Sequence, residues 1–225
     1  MDIKKGIPGK ILTSRIRLIM IAFIIFFSVG IAGLAIEATR TLFISLTPLA
    51  LLLSLAAIAA FHRPVMPIRE SLVFAIIFLS GFLIEAFGTN TGKIFGHYTY
   101  LEGLGPGIFN TPLLIGVNWV VLVYCTAAIT ERIPANSFLR IPTASTMMVA
   151  YDVIMEIVAP EMRMWEFANL SVPLKNYAAW FTLSFAFHSL LKICRIRITN
   201  RIAPFIFFVQ ASFFIILVII FKVIR

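Results

Sequence analysis

Residues 83–119 read LIEAFGTNTGKIFGHYTYLEGLGPGIFNTPLLIGVNW, the longest polar interruption in an otherwise oily chain. Two carboxylates, a histidine, two tyrosines, two prolines and seven glycines fall within it, and apolar runs of membrane-spanning length flank it. A flexible tether would be rich in Ser, Lys and Glu. Gly and aromatic residues suit a folded loop packed over a site instead. The rest of the chain reads as the helical bundle that carries this segment.

Composition supports that reading. Of 225 residues, 60% are hydrophobic and 13% charged, with a mean hydropathy of +1.00. A soluble domain would carry about 25% charged residues. The expected fold class is therefore an all-α integral membrane protein. One bundle over residues 1–225 accounts for the length, since no linker, repeat or low-complexity tract divides it. The net charge of +9 would suit nucleic acid, but the Lys and Arg are dispersed at the ends of apolar runs, as the positive-inside rule produces. The expected surroundings are a lipid bilayer, not nucleic acid. The first apolar run is too long for a signal peptide and lacks a small-residue cleavage site, so it reads as a retained helix.

Seven apolar runs lie at 17–37, 42–61, 70–87, 112–130, 140–158, 174–192 and 203–221. An odd number puts the termini on opposite sides. With the N-terminus inside, the cytoplasmic segments hold Lys4, Lys5, Lys10, Arg15, Arg17, Arg63, Arg69, Arg132, Arg140, Lys192, Arg195, Arg197 and Arg201. The other side keeps Arg40, Lys93, Arg163, Lys175, Lys222 and Arg225. The asymmetry predicts a multi-pass protein of the cytoplasmic membrane, N-in and C-out, with 88–111 and 159–173 outside.

That orientation groups three acids by depth. At about 1.5 Å per residue, Glu85 stands ~22 Å above the cytoplasmic end of its helix and Asp152 ~18 Å, with Glu156 one turn higher. All three fall in the outer half of a roughly 30 Å hydrocarbon layer. Unpaired charge there costs several kcal/mol, so each is a functional candidate, against the alternative of a polar patch that merely holds helices together. Asp152 and Glu156, four apart, share a helix face. Glu37 and Arg40 instead stand at the spacing of a local ion pair.

His97, Tyr98 and Tyr100 fit either an interfacial aromatic belt or the cover of an apolar ligand. Asn118 and Asn176 lie in the first turns of apolar helices, where each amide needs a partner. His188, near the inner end of its helix, reads as structural. Cys125 and Cys194 sit on the reducing side and read as small apolar fillers without a disulfide. Asn169-Leu170-Ser171 matches a glycosylation acceptor pattern, which is a weak signal. The three histidines are scattered and no HExxH, GxSxG or phosphate-cradling Gly-Lys-Ser/Thr motif occurs, so no metal site is expected. Asp152-x-x-x-Glu156 is shorter than the magnesium-binding acidic motifs of membrane prenyltransferases and stands on the wrong side for one.

Two blocks carry a family resemblance. The first is Glu85-x-x-Gly88-x-x-Thr91-Gly92-x-x-Phe95-Gly96-x-Tyr98-x-Tyr100, continuing through Leu104-Gly105 and Pro112 to Gly116-x-Asn118-Trp119. The second is Asp152-x-x-x-Glu156, then Trp165, then Pro173-x-x-Asn176-Tyr177-x-x-Trp180-Phe181. Over residues 83–181 the chain resembles the membrane carotenoid biosynthesis proteins that include the carotenoid 1′,2′-hydratases and bisanhydrobacterioruberin hydratase. It departs from their pattern at Ile94, Ile157 and Asn110-Thr111, positions that bear on backbone shape rather than on the acids.

The resemblance implies addition of water to the terminal double bond of an acyclic carotenoid, giving a tertiary alcohol. That chemistry needs a strong acid to protonate carbon and a water to capture the cation. A carboxylic acid buried in an apolar bundle can stay protonated near neutral pH, more so beside other carboxylates. A second, ionised carboxylate could stabilise the cation and take a proton from the attacking water. Asp152, Glu156 and Glu85 are the expected catalytic acids, and Tyr98, Tyr100, Trp119, Trp165 and Trp180 offer π faces to a cation. His97, Asn118 and Asn176 would complete the substrate site. No cofactor is needed. Two rivals stay open: a cyclase that traps the same cation with a second double bond, and a carotenoid-binding bundle without catalysis.

Overall fold

The computed structural model describes residues 9–169 and 171–224, with side chains from residue 13 onward. The N-terminal Lys4 and Lys5, the side chain of Lys10, Leu170 and Arg225 lie outside the described residues. The architecture is helical: α1 (Gly9–Ala35), α2 (Glu37–Ser45), α3 (Thr47–Ala60), α4 (Pro67–Thr91), α5 (Leu114–Thr130), α6 (Ser137–Val158), α7 (Leu174–Ile193) and α8 (Ala203–Ile219). Four short strands, β1 (Tyr98–Tyr100), β2 (Gly107–Ile108), β3 (Thr111–Pro112) and β4 (Trp165–Phe167), lie between helices.

Each apolar run falls on helix, but the runs are not equivalent spans. Among the described residues four helices are long and apolar enough to cross a membrane: α1 from Thr13, α4, α6, and α8 continued to Ile224. The 42–61 run is not one helix. α2 and α3 meet at a 48° bend, and as one broken span they would make a fifth. Pro48 stands at the start of α3 and has no N–H to carry the hydrogen-bond ladder back into α2, which breaks the helix there. α5 is apolar but only 17 residues long. α7 is diluted by Lys175, Asn176, His188 and Lys192.

Each helix sorts its residues by periodicity. α4 buries Glu70, Val73, Ile77, Gly81, Glu85 and Gly88 along one stripe. Its opposite stripe, Leu72, Ile76, Leu79, Leu83 and Phe87, is apolar and exposed. α1 exposes Leu18, Ile21, Ile24, Ile25 and Val29 in the same way. Soluble monomers rarely expose such contiguous apolar surface, and hydrocarbon is the solvent that matches it. On α6 the inward stripe is Ser145, Met148, Tyr151, Asp152, Met155 and Glu156; on α7 it is Asn176, Trp180, Ser184, Phe187 and His188. α6 and α7 pack along their lengths and α4 lies against α5, so these stripes converge.

The two ends of the bundle are tied differently. At one end β1 pairs antiparallel with β4, and a turn of 3-10 helix (Glu102–Leu104) docks beside them. At the other end Asn200 donates to the Ile58 carbonyl at 2.9 Å and to the Tyr124 hydroxyl at 3.0 Å. His62 bonds that same hydroxyl through Nδ1 and the Glu70 carboxylate through Nε2. Arg40 does not pair with Glu37. The chain breaks between them, Glu37 opens α2, and Arg40 instead donates to the Leu34 carbonyl and lies over the Phe221 ring at 5.3 Å.

Candidate functional site

The site begins with a helix end. α4 runs to Thr91 and stops at Gly92, whose φ of +66° is a left-handed conformation that favours glycine. The turn sends the chain back over the bundle into β1, where Tyr98 pairs with Phe167 and Tyr100 with Trp165. Alternation along a strand puts these four rings on the inward face, while Thr99 and Glu166 point away. Main-chain bonds extend the ribbon, from Leu101 N–H to the Met164 carbonyl and from Gly103 N–H to the Arg163 carbonyl. An exposed Arg163–Glu102 pair at 2.6 Å adds to it. The two segments expected to lie outside are therefore one lid.

Beneath this lid stand three buried acids. Glu85 accepts from the hydroxyls of Tyr98 at 2.6 Å and Tyr100 at 2.9 Å through Oε2, and from Trp119 Nε1 at 3.2 Å through Oε1. Burial, and then the Glu85 charge, push both phenols above the ordinary tyrosine range, so they remain hydroxyl donors. Glu156 accepts from Trp165 Nε1 at 2.8 Å. Asn176 Nδ2 bridges the α6 pair, 2.9 Å from Asp152 Oδ2 and 3.3 Å from Glu156 Oε1. Five of the six carboxyl oxygens therefore have a protein donor. The sixth, Asp152 Oδ1, is buried without one.

Close packing supports these contacts. Trp119 stacks on Trp180, with ring centroids 4.4 Å apart and planes at 25°. Trp119 reaches Glu85 because α4 has a glycine where α5 crosses: a Cβ on Gly81 would lie 2.8 Å from the indole. Glu85, Asp152, Glu156, Tyr98, Tyr100, Trp165, Asn176 and Trp180 line one chamber of about 10 Å³. That is roughly the space one water needs, and the walls supply the polar partners a buried water requires.

An apolar pocket of about 610 Å³ adjoins the chamber and shares the Ile115 and Trp165 walls with it. α1, α3, α5, α6 and α8 line it, and its rim includes the exposed Ile25, Val29 and Leu46. Asn118 lies here rather than with the acids. The partner expected for its amide is not found: among the described residues it bonds no protein group. Trp119 touches Glu85 but not the chamber wall, and His97 is exposed over Gly92. Ile115 and Phe167 line the chamber without having been singled out, and Phe95, present in the motif but given no role, lines it too. The period-2 alternation of Tyr-Thr-Tyr and Trp-Glu-Phe was the signal for Phe167.

The remaining candidates fall elsewhere. His188 is held by Thr126 Oγ1 at 2.9 Å and the Ser184 carbonyl at 2.7 Å. Cys125 and Cys194 are both free. Asn169 is exposed in the turn after β4. Among the described residues no three His, Cys, Asp or Glu side chains are grouped as a metal site needs, the three acids included.

Comparison with known proteins assigns the family. The family described as carotenoid biosynthesis protein matches residues 46–224, four fifths of the chain. The chain belongs to the carotenoid biosynthesis protein family. The match takes in both acid-bearing helices, the lid, and the whole chamber. No curated protein and no solved structure matches the chain. For a carotenoid biosynthesis protein, the apolar helices and the apolar pocket between them fit a lipophilic carotenoid substrate in a membrane.

Proposed function

We propose that this carotenoid biosynthesis protein hydrates the terminal double bond of an acyclic carotenoid end group, giving a tertiary alcohol. The observation that carries the reading is the free Asp152 Oδ1, in a chamber of one-water size that shares the Ile115 and Trp165 walls with an apolar pocket. A proton donor to carbon needs an oxygen not already engaged, and a hydratase needs room for one water.

The polyene lies in the apolar pocket with its end group at Ile115 and Trp165. Asp152, in its acid form, gives its proton to the less substituted alkene carbon, leaving a tertiary cation. Trp165, Trp180, Tyr98 and Tyr100 present π faces to that cation, worth roughly 2 kcal/mol when desolvated. Water adds to the cation and releases its proton to the Glu156 carboxylate, which Trp165 and Asn176 hold in place. Transfer of that proton to Asp152, Glu156's neighbour on the bridging amide, restores the resting acids. Atoms and charge balance without a redox partner or a metal. Glu85, with three donors on it, anchors the lid instead of reacting. Asn118, one turn from Ile115 on α5, offers the product hydroxyl a hydrogen bond.

With the N-terminus in the cytoplasm, the chamber occupies the outer half of the bilayer and substrate enters from the lipid past Ile25 and Val29. The test is expression in cells that accumulate lycopene or γ-carotene, followed by product masses. A gain of one water is expected. An unchanged mass with altered absorption would mean ring closure, and an unchanged pigment would mean binding alone; either overturns the hydration reading.

A further inference from the structure

At the end of the bundle opposite the lid, a hollow of about 790 Å³ lies between the last turns of α5 and α7 and the start of α6. Arg140, Lys192, Arg195 and Arg197 line it, against one carboxylate, Glu131. Glu131 is already taken: Arg140 Nη1 binds it at 3.0 Å, and the rest of that guanidinium donates to the Ile133 carbonyl. Among the described residues Lys192, Arg195 and Arg197 have no acceptor, so three cations share a concave surface with no counter-charge of their own.

The backbone holds them there. α7 ends where Ile196 N–H bonds back to the Leu191 carbonyl, with Arg195 at φ +53°. That turn position favours glycine, so an arginine side chain is kept where the backbone would prefer none. The following residues alternate: Ile196 and Ile198 are buried, while Arg195 and Arg197 are exposed. Below the cations Ala127, Ile141 and Leu191 form an apolar stretch of a wall that also carries Thr130, Asn136, Ser137 and His188, and the rim carries the exposed Ile193. Scattered positive charge at helix ends explains neither the concavity nor the apolar stretch that adjoins it.

We propose that this hollow binds the phosphate headgroup of an anionic phospholipid, with the glycerol end of the lipid against the apolar stretch. Phosphate oxygens are the acceptors that three unpaired Lys and Arg side chains fit, and Arg offers them two parallel donors. A soluble phosphate would meet the same cations, but it would leave the apolar stretch unused. The site is separate from the acid chamber and stands whether or not the hydration reading does.

The test uses the purified full chain in detergent, with phosphatidylglycerol or phosphatidylcholine added, read by native mass spectrometry. A one-to-one phosphatidylglycerol adduct is expected under activation that strips phosphatidylcholine. The Arg195→Gln/Arg197→Gln variant should retain about 30-fold less of it, and Arg195→Lys/Arg197→Lys should keep most. Arg63→Gln/Arg69→Gln removes the same charge at the same end of the bundle but outside the hollow, and should change nothing. All these positions are exposed, so little loss of stability is expected, and a melting curve of each variant checks it. Equal retention of both lipids, an unaffected Gln pair, or an equal loss in the control pair would overturn the proposal. Displacement of the adduct by millimolar inorganic pyrophosphate would transfer the site to a soluble phosphate and overturn the lipid assignment.

Discussion

At the scale of single residues, the three acids differ in how many donors reach them, and this separates their expected phenotypes. Asp152→Asn keeps an oxygen for the Asn176 bond and places its NH2 at the position that had no partner. It should therefore leave thermal stability in detergent unchanged while lowering hydration by about 10²–10⁴-fold. A well-expressed Asp152→Asn protein with near-normal product would remove Asp152 from the mechanism. Glu85→Gln behaves in the opposite way. Its NH2 must face Trp119 Nε1 or the two tyrosine hydroxyls, all donors in the present arrangement, at a cost of about 1–3 kcal/mol. A clear drop in melting temperature is expected there, and an unchanged melt would contradict Glu85 as the anchor of the lid.

Elements depend on close approaches that single side chains can block. The α4–α5 crossing at Gly81 leaves no room for a methyl group against Trp119. Gly81→Ala should push the indole away from Glu85 and lower stability by roughly 1–3 kcal/mol, with helical content by circular dichroism preserved. A melt equal to wild type would show that the helices part freely at this point. The β1–β4 ribbon is too short to be stable alone. It persists because Tyr98, Tyr100 and Trp165 bond acids on helices below, so lid and acids should lose order together.

Across the whole molecule, the expected N-in, C-out arrangement requires an odd number of crossings: seven if the bent α2–α3 pair and the shorter α5 and α7 all cross with the four long helices, or five if one of the three does. A reporter fused after the last residue should then be active only outside the cytoplasm. Cytoplasmic activity would mean an even number of crossings, with one or all of these three not crossing, or the opposite orientation. The same arrangement puts the cationic hollow and the His62–Glu70–Tyr124–Asn200 network on the inner side, away from the chamber.

Some of this was legible in the residues alone. Hydropathy and the i, i+4 spacing of Asp152 and Glu156 follow from local geometry, so helix positions and the shared face of those acids could be read directly. The folded nature of residues 83–119 was also legible, because their richness in Gly and aromatic residues is a local signal. The bend at Leu46 was marked by Pro48, yet uniform hydropathy across the run concealed it. What only tertiary structure decided is which faces meet. A rise of about 1.5 Å per residue gives depth along a helix but neither its rotation nor its neighbours. So the bridging of Asp152 and Glu156 by Asn176, the pairing of β1 with a strand far along the chain, and the placement of Asn118 in the apolar pocket arise from packing. The free Asp152 oxygen is the extreme case: it is defined by which donors other helices do not bring, and no local pattern encodes that.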